Sequence, residues 1–300
     1  MISFALILIA SFFFTGIVVR VKSIAQGRKG PVILQPMYDI WRLLRKGSVF
    51  STTSSVIFQI APSIYFGSVL MAMCVVPLCG TRGVVSFEAD FVFFAYVLAI
   101  GKFFTIIGAL DTGSSFEGMG ASREALFSML AEPAFFVLIG TLGLLTGNMS
   151  FADIFATFHF GSYTSYAFAG IAAFVLLMIC MIENSRMPVD DPKTHLELTM
   201  IHEVMVLDNS GFDMGLIMQA TNMKFAMYSA LIANLFIGNL EWYVSIPAFF
   251  GIEIVCAVAV GMVESFMARY RMSHNAQFIL VLTSLSLLMF FGVMASLGRL

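Results

Sequence analysis

Four stretches of the 300-residue chain run without one formal charge: 1–19, 47–81, 154–182 and 272–298. Four more are strongly apolar and hold one or two ionisable residues each: about 91–110 with Lys102, 127–147 with Glu132, 216–240 with Lys224, and 243–266 with Glu253 and Glu264. A bilayer core takes about 20 apolar residues per helix, because every backbone group must find its hydrogen bond inside the segment. The pattern predicts an all-α, polytopic integral membrane protein of about eight transmembrane helices. The whole of 1–300 is expected to form one integral membrane domain, with no internal repeat and no low-complexity tract. Segment 1–19 lacks a basic leading region and a small-residue cleavage site, and Arg20 and Lys22 follow it, so it is expected to be a retained first helix.

The basic residues orient these spans. With the N-terminus outside, the inner loops hold Arg20, Lys22, Arg28, Lys29, Arg42, Arg45, Lys46, Arg123, Arg186, Lys193, Arg269 and Arg271, while the outer side holds Arg82 and Arg299. Positive charge prefers the cytoplasmic side, so both termini are expected on the outer, periplasmic side of the cell inner membrane. Composition agrees: 59% of residues are hydrophobic and 11% charged, against about 25% charged in soluble domains. The 32 phenylalanines exclude a disordered chain. Cys74, Cys79, Cys180 and Cys256 all lie in apolar runs, which excludes a secreted disulfide scaffold. The net charge of −2 adds little.

Three inner segments carry the polar character: 20–46, basic; 111–126, a Gly- and Ser-rich acidic turn; and 183–215, with seven acids and two bases. They are expected to form a docking surface for a peripheral arm. Redox groups are not expected in this chain. No CxxC groups thiolates for an iron–sulfur cluster, and no GxGxxG or P-loop run cradles a nucleotide phosphate. Nucleic acid is not an expected partner. His195 and His202 stand two helical turns apart, about 10.5 Å of rise, too far to share one metal ion.

In the first inner loop, Gly30-Pro31 and Pro36 break helix locally. From Met37 the positions Met37, Ile40, Trp41 and Leu44 recur at helical spacing, with Arg42 and Arg45 off that face. This predicts an amphipathic helix lying in the membrane interface. In the third inner loop, Asp190 or Asp191 can cap a helix beginning near Pro192. There Lys193 faces Glu197 and Thr199 faces Glu203, with His195 and His202 on one side. Half-buried carboxylates beside histidines suit a proton path, since burial raises a carboxyl pKa and histidine already titrates near neutrality.

The runs Gly30-Pro31…Leu34-Gln35-Pro36…Asp39…Leu43-Leu44…Lys46 and Glu183-x-x-Arg186-x-Pro188-x-Asp190-x-Pro192…Glu197-Leu198…Ser210-Gly211 resemble the membrane subunit 1 family of NADH:quinone oxidoreductase, the respiratory NADH dehydrogenase. The stretch His195 to Met205 is more similar to its branch in membrane-bound group 4 [NiFe]-hydrogenases, the hydrogenase-4 component C or formate hydrogenlyase membrane subunits. The resemblance covers nearly the whole chain. It implies a membrane foot of a redox arm, with the [NiFe] centre and iron–sulfur clusters in partners: a [NiFe]-hydrogenase large subunit and an iron–sulfur small subunit. It also implies a line of intramembrane glutamates leading to antiporter-like membrane subunits. Glu132, following Ser122-Arg123, falls on a family glutamate, and Glu183, Arg186, Asp190 and Glu197 fall on the acidic loop motif. The spacing from Glu197 to Ser210-Gly211 is about three residues longer than in the quinone branch, which favours the hydrogenase form.

Charges at mid-bilayer cost about 2.5–3.5 kcal/mol each even on the insertion scale, so those retained are expected to work. Glu132, beside Pro133, is read as a proton relay; Lys102 as a pairing or relay amine; Glu253 as a carboxyl at depth. Glu264 and Lys224, nearer the inner face, are expected to snorkel to water. The expected proton path is Glu132, Glu183, Asp190, Glu197, Glu203, Glu253, Lys102, His195 and His202. The expected docking set is Arg28, Gly30, Pro31, Gln35, Pro36, Asp39, Arg45, Lys46, Arg123 and Arg186. Two charges about 10 Å apart at an effective dielectric of about 20 interact by ~1.7 kcal/mol, about one pKa unit. Reduction in a docked partner is thus expected to perturb Glu197 or Glu203 enough to pass a proton inward. Three other readings carry different functions: a quinone-reductase subunit; a stand-alone ion antiporter, whose paired halves and broken helices are not found here; and a passive anchor, in which every glutamate could be neutralised without losing coupling.

Overall fold

The structure, a computed structural model, describes residues 1–52, 54–78, 80–158, 163–190, 201–238 and 241–298, with Tyr163 by its backbone alone. The named elements of the described chain are all helices: α1 (Ile2–Ala25), α2 (Gln35–Leu44), α3 (Val56–Val75), α4 (Asp90–Asp111), α5 (Ser115–Thr146), α6 (Phe151–Thr157), α7 (Tyr163–Glu183), α8 (His202–Met205), α9 (Gly211–Ile237), α10 (Trp242–Phe266) and α11 (Met272–Ser296). Eight of these are 20 residues or longer among the described residues, the expected number of spans. Seven are long and apolar enough to cross a membrane, and α9 is not in that set.

The exception follows from packing. Twenty of the 27 residues of α9 are buried, because α1, α2, α3, α7 and α10 surround it. A helix with no lipid face need not be apolar all round. It can therefore carry Gln219, Asn222, Lys224, Ser229 and Asn234, all buried.

The bundle is tied at both ends. At one end the Asp90 carboxylate accepts the Phe151 N–H at 2.7 Å and the Ser150 hydroxyl at 2.9 Å, fixing the start of α6 to the start of α4. Asn234 donates to the Pro77 carbonyl at 2.6 Å. At the other end the base-rich connections gather. Lys22 of α1 meets Glu264 of α10 at 2.7 Å, and Asn275 of α11 donates to the Val189 carbonyl at 3.0 Å. The Ser210 hydroxyl accepts the Val49 N–H at 3.0 Å.

Two segments expected as loops are partly helical. The stretch 111–126 is a turn only to Ser114, where Gly113 at φ +72° ends α4; α5 then starts at Ser115 and runs 32 residues. Its glycines are spacing rather than breaking residues, since a Cβ on Gly120 would stand 2.7 Å from the Ile201 carbonyl oxygen. The stretch 183–215 contains α8 and the first turn of α9, while the helix expected from Pro192 lies outside the described residues.

Residues 184–190 carry irregular backbone between α7 and α8, and Asn184, Ser185, Pro188, Val189 and Asp190 in it are buried. Such backbone is tolerated at depth only when protein groups satisfy it. Here the Arg186 N–H reaches the Met181 carbonyl at 2.8 Å and the Tyr270 N–H reaches the Pro188 carbonyl at 3.0 Å.

Helices α3 and α4 approach closely where a Cβ on Gly101 would collide with the Ser68 hydroxyl, whereas one on Gly67 would meet nothing within 4 Å. Gly101→Leu is therefore expected to cost about 1–3 kcal/mol through overpacking. Membrane accumulation and resistance to unfolding in detergent should fall for that variant and stay near normal for Gly67→Leu.

Candidate functional site

Four charged side chains from four helices meet inside the bundle. Lys102 of α4 sits between two carboxylates, 3.1 Å from Glu124 of α5 and 2.9 Å from Glu183 at the end of α7. Glu183 is shared in turn with Lys224 of α9 at 3.1 Å. The order Glu124, Lys102, Glu183, Lys224 alternates in sign and sums to zero. Lys102, Glu124 and Lys224 are 8%, 6% and 1% exposed. Such ions cost several kcal/mol each to desolvate, and only mutual pairing with added hydrogen bonds offsets that cost. The added bonds are present. Lys224 also donates to the Glu183 main-chain carbonyl at 2.8 Å, where a cation favours the negative end of the α7 dipole. The Ser185 hydroxyl lies 3.4 Å from the second oxygen of Glu124.

A cavity of about 40 Å³ adjoins this ladder, with Lys102, Glu183, Ser128, Glu132 and Tyr228 in its wall. A water needs roughly 10–15 Å³ on this scale, so two or three fit. Glu132 is the one Asp, Glu, Lys or Arg of the eight long helices that is exposed among the described residues. A second cavity, about 110 Å³, lies between α1, α2, α8 and α9, walled by Thr15, Ile40, Asn184, Ser185, Arg186, His202, Glu203, Met214, Met218 and Asn222. The Asn184 side-chain oxygen is buried and without a hydrogen-bond partner among the described residues. Ser185, at φ +49°, lines this second cavity and contacts the ladder at Glu124. Ser185 thus joins the second cavity to the ladder, and Lys102 and Glu183 join the ladder to the first.

The other expected residues fall around it. Asp190 pairs with Arg269 at 3.0 Å and accepts the Ile201 and His202 N–H groups at 3.2 and 3.1 Å. It thereby holds the start of α8 across the chain, and the helix it was expected to cap from Pro192 lies outside the described residues. His195 and Glu197 lie outside the described residues. Glu253, 4% exposed, accepts the Ser229 hydroxyl at 2.7 Å and stands apart from the ladder with one oxygen unpartnered among the described residues. Of the docking set, Arg28, Pro31, Arg45 and Lys46 are exposed, and Gly30, Gln35, Pro36, Asp39 and Arg123 are partly so. Arg186 instead turns inward to Glu264 at 3.4 Å and stacks over Phe225.

Lys224 and Glu264 do not snorkel. Glu264 is held between Lys22 and Arg186, and Lys224 has Glu183; with buried partners in reach, neither gains by turning to water. Glu124 does not stand out in the sequence, because 111–126 has the composition of a solvated turn. Helical spacing from Glu117 and Arg123 through Glu132 is the signal that could draw it into a span.

Glu183→Gln would leave the Lys224 ammonium buried with a carbonyl alone. It is expected to cost about 3–5 kcal/mol, read as lost membrane accumulation, and Glu183→Gln with Lys224→Met should recover most of it. Burial pushes the His202 imidazole below its ordinary value, opposed by Glu124 and reinforced by Lys224, Lys102 and Arg186. Below pH about 6.5 the unfolded chain binds a proton that the folded one resists, so stability falls as pH drops through that value. His202→Gln should flatten the pH dependence of thermal unfolding.

The chain matches the family described as NADH dehydrogenase over residues 1–294. It is 30% identical over 224 residues to hydrogenase-4 component C of Escherichia coli (strain K12), covering 75% of this chain and 70% of that one. It is 25% identical over 266 residues to formate hydrogenlyase subunit 4 of the same organism, covering 86% of each. With the H subunit of NADH-quinone oxidoreductase from Neorickettsia sennetsu (strain ATCC VR-367 / Miyayama) it shares 27% over 252 residues, 79% of this chain and 73% of that one. A chain of the membrane-bound sulfane sulfur reductase, an archaeal respiratory membrane complex, has the same fold at a TM-score of 0.77 and 19% identity, covering 97% of this chain and 96% of that one. With a match over nearly its whole length and a multi-helix membrane bundle to carry it, the chain belongs to the NADH dehydrogenase family.

Proposed function

We propose that this chain is the membrane-anchoring, proton-conducting subunit of an energy-converting hydrogenase complex of the formate hydrogenlyase type. It sits in the cell inner membrane with both termini outside. Its base-rich end seats the [NiFe]-hydrogenase large subunit and the iron–sulfur small subunit, and its flank meets antiporter-like membrane subunits. The electrons stay with those partners, which hold the [NiFe] centre and the clusters, and this chain moves protons. The branch rests on the similarity to hydrogenase-4 component C and formate hydrogenlyase subunit 4.

The observation that carries the proton role is the succession of polar groups from the inner cavity to Glu132. A proton entering beside His202 and Glu203 reaches Ser185, whose hydroxyl neighbours Glu124. Protonation of Glu124 removes one of the two charges holding Lys102 and tips that ammonium toward Glu183 and the small cavity. The Lys102 ammonium then releases a proton through waters in that cavity to the Glu132 carboxylate and regains one from protonated Glu124. Within the ladder each transfer runs between groups that neutralise one another, which avoids an isolated ion in low dielectric. Asp190 holds the inner mouth by fixing residues 201 and 202. Glu253 belongs to a side branch through Ser229.

The larger cavity favours a second reading. It is chiefly apolar, with a few polar groups at one end, and lies between α1, α2 and α9, a form suited to an apolar ligand with a polar head. In a quinone-reducing complex, as in the NADH-quinone oxidoreductase relative, that ligand would be a quinone. Quinone-dependent electron transfer by the purified complex selects this reading; its absence, with hydrogen evolution intact, selects the first.

Replacing Glu132 by Gln in the intact complex is expected to leave electron transfer within about two-fold and to lower proton translocation by ten-fold or more, since one relay group typically contributes 10²–10⁴-fold to proton transfer. Unchanged translocation in sealed vesicles would take Glu132 off the path.

A further inference from the structure

Helix α2 lies against the bundle by one face and leaves the other open. Pro36, Met37, Ile40, Leu43 and Leu44 share the inner side, where Leu43 and Leu44 close on Gly215 of α9. Tyr38, Trp41, Arg42 and Arg45 fall on the outer side, within about one third of the helix circumference at 3.6 residues per turn. Tyr38 is 54% and Trp41 51% exposed. Trp41, one of the apolar positions of the expected interfacial helix, thus faces away from the bundle. The Arg45 guanidinium covers its ring at 4.8 Å instead. Asp39 is the acid of this helix, and its carboxylate already accepts from Gln35 at 2.9 Å while standing 4.0 Å from Arg42. The outer face, with Lys46 after it, keeps a positive excess.

Exposed apolar side chains stand on both sides of the hydroxyl residues that lead from this basic patch to the first turns of α3. Val49 and Phe50 follow Lys46 and are exposed, Phe50 sets its ring edge-on to Phe58 of α3, and Val56, Ile57 and Ile60 of that helix are exposed beside it. Cations and amphipathic rings at a helix end, above open apolar side chains leading into a span, match the order of a phospholipid: charged head, interface, acyl chain. A soluble partner would cover the arginines but not side chains that enter the membrane.

We propose that the outer face of α2 with Lys46, together with the exposed side chains of Val49, Phe50, Val56, Ile57 and Ile60, is a binding site for an anionic phospholipid. The phosphate sits on Arg42, Arg45 and Lys46, the glycerol region on Trp41 and Tyr38, and an acyl chain on Phe50, Val56, Ile57 and Ile60. Asp208, in the recess walled by Val49 and Phe50, keeps the phosphate out of that recess. The site gives Arg45 and Lys46 to lipid, leaves Arg28, Gly30 and Pro31 to the peripheral arm, and does not depend on the proton path.

The chain has two tryptophans, Trp41 and Trp242, so Trp242→Phe makes Trp41 the sole reporter in the full-length protein. Reconstituted in phosphatidylcholine, that protein receives a minor fraction of brominated phosphatidylglycerol or, in parallel, brominated phosphatidylcholine. A basic residue near the headgroup enriches an anionic lipid by roughly five-fold. Brominated phosphatidylglycerol should therefore quench Trp41 at several-fold lower content than brominated phosphatidylcholine. The excess should vanish in Arg42→Ala/Arg45→Ala/Lys46→Ala and shrink at high salt in the unsubstituted face, which serves where the triple variant folds poorly. Equal quenching by the two lipids overturns the proposal. So does a triple variant that keeps the excess quenching while its complex sheds the peripheral subunits, since the face would then belong to protein.

Discussion

The Glu183 carboxylate, shared by two buried ammonium groups, is the contact on which the interior depends. It stands where α7 ends, and it draws Lys102 from α4 and Lys224 from α9 to one oxygen; Lys102 adds Glu124 from α5. Four helices are thereby registered at one level by interactions that tolerate little displacement, because attraction between ions in a dry interior falls away as soon as water or distance intervenes. The alternation of sign matters as much as the contacts. A lone pair would leave outer oxygens and protons unsatisfied, whereas a chain of four lets each inner member serve two neighbours.

That junction explains why α7 stops where it does. A straight continuation would carry Asn184, Ser185 and Arg186 past the ladder. Instead the chain turns inside the bundle, and four successive residues address four sites: Glu183 the lysines, Asn184 the Cys180 carbonyl, Ser185 the Glu124 carboxylate and Arg186 the Glu264 carboxylate. Ser185 adopts a left-handed backbone, costly for a residue with a side chain, and its contact with Glu124 is made from that conformation. The Glu264 cluster repeats the device of the ladder, one carboxylate between two cations, and holds α1 and α10 to the same segment.

Much of the fold was legible from hydrophobic runs alone, because lipid imposes one rule on every exposed span. The rule weakens where a span sees no lipid. Helix α9 is the case in point: its expected range, 216–240, came from apolar content despite Lys224, yet the packing around it explains the polar residues. The site was legible in part. Lys102, Glu132, Glu183 and Asp190 stood out as ionisable residues in or beside apolar runs. Glu124 did not, since Gly118, Gly120 and Ser122 give its neighbourhood the composition of a turn; Gly120 is small there to admit the Ile201 carbonyl and Met205. Pairing across helices was invisible, so Lys224 and Glu264 read as snorkelling.

Glu253 and Glu132, the two intramembrane acids of the proposed path that are not part of the ladder, differ in how they are enclosed. Glu253 is enclosed and accepts the Ser229 hydroxyl. Glu132 shares a water-sized cavity with Lys102 and Glu183 and opens on the flank of α5. A carboxylate on that flank facing hydrocarbon would bear the full cost of an intramembrane charge. Facing a neighbouring membrane protein with a polar group of its own, it would find at the seam the stabilisation that the ladder gives Glu183. In the proposed path the open acid, not the closed one, is the group placed to exchange a proton with a neighbouring membrane subunit.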